Sequence, residues 1–193
     1  MRIIAGAWRG RKLDWPKHGG TRPMPDALRE TLFNILGSLL AAPGELPALH
    51  VADLFAGSGS AGLESLSRGA ATCTFFEKDR TALSVLRANM DQLKAGPNAV
   101  IVPGDVWRSH PRAPGEALFD LVFLDPPYQD SRDVSPAGHV PLFLERLAAA
   151  TSPSSRVVLH HEGVITYPQQ HWAGWRVSDR RTLGSHAITF FSR

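Results

Sequence analysis

The apolar positions of this chain recur in two rhythms, and the switch from one to the other marks out its elements. Leu28, Leu32, Phe33, Ile35, Leu36 and Leu39 fall at helical spacing behind Asp26, which can cap a helix; Gly37 is a weak point and Pro43-Gly44 stops it. His50-Val51-Ala52-Asp53-Leu54-Phe55 then reads as a buried strand, followed by a glycine turn and a helix over 60–68. The alternation continues with strand 72–77, helix 80–94, strands 99–103 and 119–125, helix 140–150 and strand 155–161. Alternating strands and helices predict an α/β protein with a parallel sheet, and a run such as Leu118-Phe119-Asp120-Leu121-Val122-Phe123-Leu124 fits a sheet covered on both faces. Trp172 to Arg181 and Ser185 to Phe191 meet at Leu183-Gly184 as an antiparallel strand pair. At the other end, Ile3-Ile4-Ala5-Gly6 and Arg11-Lys12-Leu13 flank Ala7-Trp8-Arg9-Gly10 as a short β-hairpin, and Pro16 to Pro25 forms a loop.

A chain of 193 residues is long enough to bury about 70% of its unfolded surface, so one domain with an appendage is expected: an extension over 1–45 and a main domain over 46–193. Hydrophobic residues at 43% and charged residues at 20% exclude a disordered or fibrous chain. No apolar run approaches the roughly 18 residues that cross a bilayer, and the first residues carry no cleavable signal, so a soluble, cytoplasmic protein is expected. The single cysteine, Cys73, cannot form an internal disulfide and reads as a buried strand residue. The net charge of +3 is modest but uneven. Residues 1–22 carry Arg2, Arg9, Arg11, Lys12, Lys17 and Arg22 against Asp14, a net +5, which leaves −2 for the other 171 residues. Trp8 and Trp15 lie among those cations, a pattern that suits phosphate contacts and base stacking and equally suits a solvated hairpin with two core tryptophans.

Asp53-Leu54-Phe55-Ala56-Gly57-Ser58-Gly59-Ser60-Ala61-Gly62 lies between a predicted strand and a predicted helix, the setting a nucleotide-binding glycine loop requires. Gly57, Gly59 and Gly62 satisfy G-x-G-x-x-G, and Glu77, 20 residues beyond Gly57, is placed to accept from ribose hydroxyls. That spacing alone fits a dinucleotide. Asp53 argues against one, because a carboxylate gains nothing beside a pyrophosphate and much beside an ammonium group. S-Adenosylmethionine has an ammonium group, an adenosine and no phosphate. Asp105, after the third strand, is positioned either to accept from an adenine amino group or to cap a helical turn. The sharpest motif is Asp125-Pro126-Pro127-Tyr128 at the carboxyl end of strand 119–125. Two prolines cannot continue a strand, so a carboxylate, a rigid outward-facing carbonyl and a Tyr ring are left together as a clamp for an exocyclic amine on a base.

With these motifs in place the chain resembles the S-adenosylmethionine-dependent amino-methyltransferases. Met1-Arg2-Ile3-Ile4-Ala5-Gly6, Trp8-Arg9-Gly10-Arg11-Lys12-Leu13, Arg22-Pro23, Arg29-Glu30-Thr31-Leu32-Phe33-Asn34-Ile35-Leu36 and Asp53 to Gly59 together resemble the bacterial 16S ribosomal RNA guanine-N2 methyltransferase family known as RsmD. The resemblance implies a Rossmann-like class I methyltransferase fold: a seven-stranded, mostly parallel sheet with a C-terminal antiparallel pair. It implies S-adenosylmethionine as cofactor, held by Asp53, Phe55, Ala56, Gly57, Ser58, Gly59, Glu77, Lys78, Asp105, Val106 and Asp125. Asp125, Pro126, Pro127 and Tyr128 would then carry catalysis, and Arg9, Arg11, Lys12, Arg22 and Tyr128 would contact 16S ribosomal RNA or the small ribosomal subunit, with the enzyme a monomer. Family members usually read Arg-Pro-Thr where this chain has Arg22-Pro23-Met24, so a hydroxyl near the cofactor is lost.

A DNA adenine-N6 methyltransferase is the alternative, since the same clamp works on adenine, although the separate target-recognition domain usual there is missing. A dehydrogenase leaves Asp125 to Tyr128 unexplained, and a non-catalytic RNA-binding module leaves the glycine loop without a purpose. A cytosine-C5 methyltransferase needs a nucleophilic thiolate, and Cys73 lies in the wrong strand. His160, His161, His171 and His186 lack the spacing of a metal site with a carboxylate partner and read as structural or surface residues, so no metal is expected.

Overall fold

The computed structural model describes residues 1–16, 24–113, 115, 117–168, 172 and 174–193. Among them, seven strands form one sheet: β1 (His50–Leu54), β2 (Thr72–Glu77), β3 (Ala99–Pro103), β4 (Phe119–Leu124), β5 (Thr151–Glu162), β6 (Arg176–Leu183) and β7 (His186–Ser192). They lie in the order β3-β2-β1-β4-β5-β7-β6. The first five are parallel, and β7 runs antiparallel to both β5 and β6. The helices are α1 (Asp26–Leu39), α2 (Ser60–Ser67), α3 (Arg80–Leu93), α4 (Tyr128–Ser131) and α5 (His139–Leu147). This is the expected seven-stranded, mostly parallel α/β sheet with its C-terminal antiparallel pair. None of the described helices is long and apolar enough to cross a membrane.

Successive strand residues point to opposite faces, and each face has its own core. Val51, Phe75, Leu121, Phe123, Val158, Ile188 and Phe190 pack with residues of α1, α2 and α3. Ala52, Leu54, Phe76, Val122, Leu124, Val157, Leu159 and Phe191 pack with α5, Trp172 and Trp175. Cys73 lies fully buried in the first cluster, where burial pushes its thiol pKa up.

Three local expectations are corrected. Asp26 does not cap α1: Pro25 occupies the cap position, and the Asp26 carboxylate in the first turn accepts from Arg29 Nη2 at 2.9 Å. The N-terminal hairpin shrinks to an isolated Arg2–Lys12 bridge with a few flanking bonds, including Ile3 N–H to the Arg11 carbonyl. The intervening N–H groups are spent elsewhere. Those of Ile4 and Ala5 donate to the Glu64 carboxylate of α2 at 2.7 and 3.0 Å, and that of Ala7 to the Ser67 carbonyl at 2.7 Å. The helix expected over 140–150 tightens into a 3₁₀ turn at Ala148–Ala150. β5 begins four residues earlier than the sequence pattern suggests, and a register shift between Phe119 and Leu121 of β4 takes up the stretch containing Pro153, which cannot donate to a ladder. Most of the loop expected over 16–25 lies outside the described residues.

The N-terminal segment is latched by two buried side chains. Glu64 also accepts from Arg68 Nε at 2.8 Å, and the Arg68 guanidinium lies 4.7 Å from the Phe33 ring centroid. Asn89 of α3 accepts from the Asp14 N–H at 2.8 Å and donates through Nδ2 to the carbonyls of Asp14 and Ser58, at 3.0 and 2.9 Å.

Replacing Glu64 with Leu leaves the Arg68 guanidinium buried without its carboxylate and two arm N–H groups without an acceptor. The expected loss is about 3–5 kcal/mol of stability by chemical denaturation, together with faster tryptic cleavage at Arg9, Arg11 and Lys12. Unchanged cleavage would mean that Glu64 does not hold the arm.

Candidate active site

The order of connection across the sheet reverses between β1 and β4: β2 and β3 are added on one side of β1, and β5 lies beyond β4 on the other. Open α/β sheets bind ligands in the crevice at the carboxyl ends of strands where such a reversal occurs. Asp53, in β1, and Asp125, immediately after β4, both lie there, and the Asp125 N–H donates to the Leu54 carbonyl at 3.2 Å. Phe55 turns the chain out of β1 with φ +64°, a left-handed conformation rare for a side chain of that size, and its ring lies 4.9 Å from that of Trp107.

Asp53 is buried, and its Oδ2 accepts from the Gly62 N–H at 2.9 Å. Burial pushes its carboxyl pKa up to about 8; the Gly62 hydrogen bond opposes the shift, and the nearby charges of Asp125 and Glu77 add to it. Glu77, at the end of β2, accepts from the N–H groups of Gly57, Lys78 and Asp79, each at 2.8 Å, so it ties the glycine loop to the next strand. Gly62 packs directly on β2, where an added Cβ would lie 2.3 Å from Phe75 Cε1. At Gly57, with φ +56°, an added Cβ would meet nothing within 4 Å. The open side of the loop is therefore at Gly57. Asp105 both caps a turn and pairs with a lysine: it accepts from the Trp107 N–H at 3.0 Å and from Lys78 Nζ at 3.1 Å. Lys78 is the main reason its carboxyl stays below the usual range. Val106 beside it is buried.

At the crevice lies a cavity of about 20 Å³ whose lining includes Met24, Asp53, Phe55, Ala56, Asp125 and His160. Asp53 and Glu77 accept from the glycine loop, and Asp125 stands close enough to Asp53 to add to its shift. That donor set fits a ligand bearing positive charge and an adenosine, as S-adenosylmethionine does, and it repels a pyrophosphate. No cluster of three or more His, Cys, Asp or Glu among the described residues is arranged to hold a metal ion.

The Asp-Pro-Pro-Tyr segment leaves the sheet as the pattern predicts. The Pro127 carbonyl accepts from the Asp130 N–H at 2.9 Å to start α4, and the Tyr128 carbonyl accepts from Ser131 Oγ at 3.0 Å. The Tyr128 ring is half-buried and its hydroxyl lies 2.6 Å from His186 Nδ1. Arg9, Arg11 and Lys12 are exposed on the N-terminal segment, Trp15 is exposed, and Trp8 is half-buried against the first core. Arg22, Lys17 and His171 lie outside the described residues.

Sequence reasoning missed three residues around this crevice: Trp107, His160 and His186. His160 is the substantive correction. It has the carboxylate partner that its spacing seemed to lack, with Nδ1 2.7 Å from Asp125 Oδ1. The signal was available, because parallel neighbours β4 and β5 pair Leu124 with Leu159, which sets the next residues, Asp125 and His160, side by side. His161, on the opposite face of β5, is a structural residue as expected: its Nε2 lies 2.7 Å from Thr189 Oγ1, and burial lowers its pKa to about 4.

The family model described as "Conserved hypothetical protein 95" matches residues 1–192. The ribosomal RNA small subunit methyltransferase D of Haemophilus influenzae is 42% identical over 132 residues, 66% of this chain and 64% of that protein. Its counterpart from Escherichia coli K12 is 43% identical over 129 residues, 67% of this chain and 61% of that protein. The chain thus spans less than two thirds of the length of either relative. The solved structure of yhhF from Escherichia coli superposes with a TM-score of 0.76 at 32% identity and covers 100% of this chain and 97% of that one.

With its pKa raised from 3.8 to about 8, Asp53 keeps its proton in the free folded protein at pH values where the unfolded chain has lost it. Its burial therefore costs nothing below pH 4, costs progressively more as pH rises toward 8, and costs its full amount above that. Asp53→Asn keeps an acceptor for Gly62 and removes the titration. Its stability advantage over wild type is expected to widen by about 2–5 kcal/mol between pH 5 and pH 9 in denaturant titrations. A constant advantage would mean that Asp53 is ionised throughout.

Proposed function

The chain belongs to the conserved hypothetical protein 95 family, the RsmD family, with the class I methyltransferase fold, and on that premise we propose that it transfers a methyl group from S-adenosylmethionine to the exocyclic N2 amine of a guanine in 16S ribosomal RNA, as presented in the small ribosomal subunit. The observation that carries this reading is the juxtaposition of Asp53 and Asp125 at the reversal of the sheet, with Pro126 and Tyr128 following directly.

When bound, S-adenosylmethionine supplies an electrophilic methyl group on a positively charged sulfur. Asp53 would hold the ammonium group of the cofactor, Glu77 would accept from its ribose hydroxyls, and Asp105 and Val106 would flank the adenine. Phe55, Ala56, Gly57, Ser58, Gly59 and Lys78 form the loop and strand end around it.

Asp125 Oδ1 is taken by His160, which leaves Oδ2 to accept one hydrogen of the guanine amine while the Pro126 carbonyl accepts the other. Those two bonds favour a pyramidal nitrogen, free its lone pair from the ring and stabilise the positive charge that grows on it. Once methylated, the nitrogen is acidic enough to shed its proton to Asp125 or to water, so Asp125 acts through placement and charge more than through basicity. Pro127 fixes the turn. Tyr128 stacks on the base, whose removal from its neighbours costs a few kcal/mol that stacking at roughly 1–3 kcal/mol offsets. Arg9, Arg11 and Lys12, with Arg22, contact phosphates.

The test supplies methyl-labelled cofactor with protein-free 16S RNA, with small subunits lacking the modification, or with unmethylated DNA, and identifies the nucleoside after digestion. N2-Methylguanosine from RNA or subunits is expected; N6-methyladenine in DNA would overturn the substrate and keep the clamp. Asp125→Ala is expected to lower transfer by about 10²–10³-fold while leaving RNA binding intact. Replacing Arg9, Arg11 and Lys12 together by Ala is expected to flatten the log–log salt dependence of RNA binding by about 2, at about 0.7 per lost contact to a single strand. An unchanged slope would place the phosphate contacts elsewhere.

A further inference from the structure

Behind the Asp-Pro-Pro-Tyr segment lies a cluster that the transfer reaction as described does not use. His160, on β5, is almost wholly buried, with its ring Nδ1 2.7 Å from Asp125 Oδ1. On the far side of that ring, Nε2 lies 3.0 Å from Nδ1 of His186, at the start of β7, and 3.5 Å from the Tyr128 hydroxyl. The two imidazoles are stacked, with centroids 5.2 Å apart and planes 20° from parallel. The Tyr128 ring meets both edge-on, and its hydroxyl lies 2.6 Å from His186 Nδ1. Both ends of the clamp, the carboxylate and the aromatic ring, therefore close on the same pair of histidines.

We propose that His160 and His186 are positioning residues that lock Asp125 and Tyr128 into one rigid clamp, with His160 donating to Asp125 Oδ1 so that Oδ2 alone faces the amine. The proposal rests on the reading of Asp125 as the acceptor of that amine. A carboxylate accepts, so the donor in this contact is His160 Nδ1, and Nε2 is left facing His186 and Tyr128. Burial, with Asp125 and Glu162 nearby, raises the Tyr128 pKa, so the hydroxyl keeps its proton and can donate into the cluster. A free carboxylate at a strand end rotates about χ2 and offers either oxygen to the substrate. Holding one oxygen removes that freedom before the base arrives, and reactions that depend on lone-pair alignment are sensitive to such placement. The two histidines come from different strands of the C-terminal half, His160 opposite Ile188 and His186 opposite Glu162 in the β5–β7 register, so that half supplies more than an edge to the sheet.

The test compares His160→Phe, which keeps a ring and loses the donor, with His160→Asn, which restores a donor near the position of Nδ1, and with Tyr128→Phe, which removes only the hydroxyl. Each is assayed for methyl transfer to small subunits lacking the modification and for cofactor binding by calorimetry, with Asp125→Asn alongside. Positioning predicts a kcat loss of about tenfold or more in His160→Phe, an unchanged cofactor affinity, and recovery to within about threefold in His160→Asn. Tyr128→Phe is expected to lose about threefold to tenfold in kcat, and it remains informative should the substitution at the buried His160 prevent folding. Full activity in His160→Phe, or no rescue by Asn, overturns the proposal, as does wild-type kcat in Tyr128→Phe. If Asp125→Asn is inactive and His160→Phe is not, only the positioning role falls. If Asp125→Asn is itself fully active, the amine clamp falls, and the positioning role falls with it.

Discussion

Negative charges gathered at one end of a water-poor sheet repel one another, and the crevice is arranged around that repulsion. Asp53, Asp125 and Glu77 come from three neighbouring strand ends; burial is the main cost of ionising Asp53, and the charges of Asp125 and Glu77 add to it. The protein offsets the cost locally. Gly62 donates to Asp53, three backbone N–H groups converge on Glu77, and His160 donates to Asp125. None of these donors is a free cation, so the remaining deficit is a standing selectivity for positively charged ligands. The same groups disfavour phosphate at this G-x-G-x-x-G loop, where Glu77 accepts from the Gly57 N–H and Asp53 from the Gly62 N–H.

The N-terminal segment is built on a different principle. It has little ladder of its own and borrows its order from the main domain through Glu64, Ser67 and Asn89. Its apolar residues Ile3 and Leu13 join the same cluster as α1 and the first face of the sheet. The exposed cations Arg9, Arg11 and Lys12 are thus carried on a backbone anchored to α2 and α3 and held at a fixed offset from the crevice.

Much of this was legible in the sequence because two-faced burial writes itself as strand-length apolar runs. β1 to β4 and the C-terminal pair fall within a few residues of the positions that hydrophobicity alone predicts. Asp53, Glu77 and the Asp125 segment were legible for another reason: each stands at a strand end where apolar residues give way to a carboxylate, and that break shows without a structure. What did not show was pairing across the chain. A hairpin reads well in residues 3–13, but nothing local says that a glutamate some 60 residues away will take its N–H groups. Pro25 stands before α1 without a side-chain cap, while the Asp26 carboxylate one residue later is taken by Arg29, a partner that the sequence does not show. His160 and His186 were read one at a time, and only the strand register joins them to Asp125 and Tyr128.

Asn89 has a consequence that reaches beyond packing. A single carboxamide holds the backbone of Asp14 at the base of the basic segment and the carbonyl of Ser58 within the glycine loop. Neither stretch can open transiently without leaving polar atoms of the buried Asn89 unpaired, which costs about 1–3 kcal/mol. Loop and arm are thus tied through one side chain, which couples their local opening. Whatever stiffens the loop lowers the entropy still to be lost when the arm engages a polyanion, and by reciprocity an engaged arm quiets the loop.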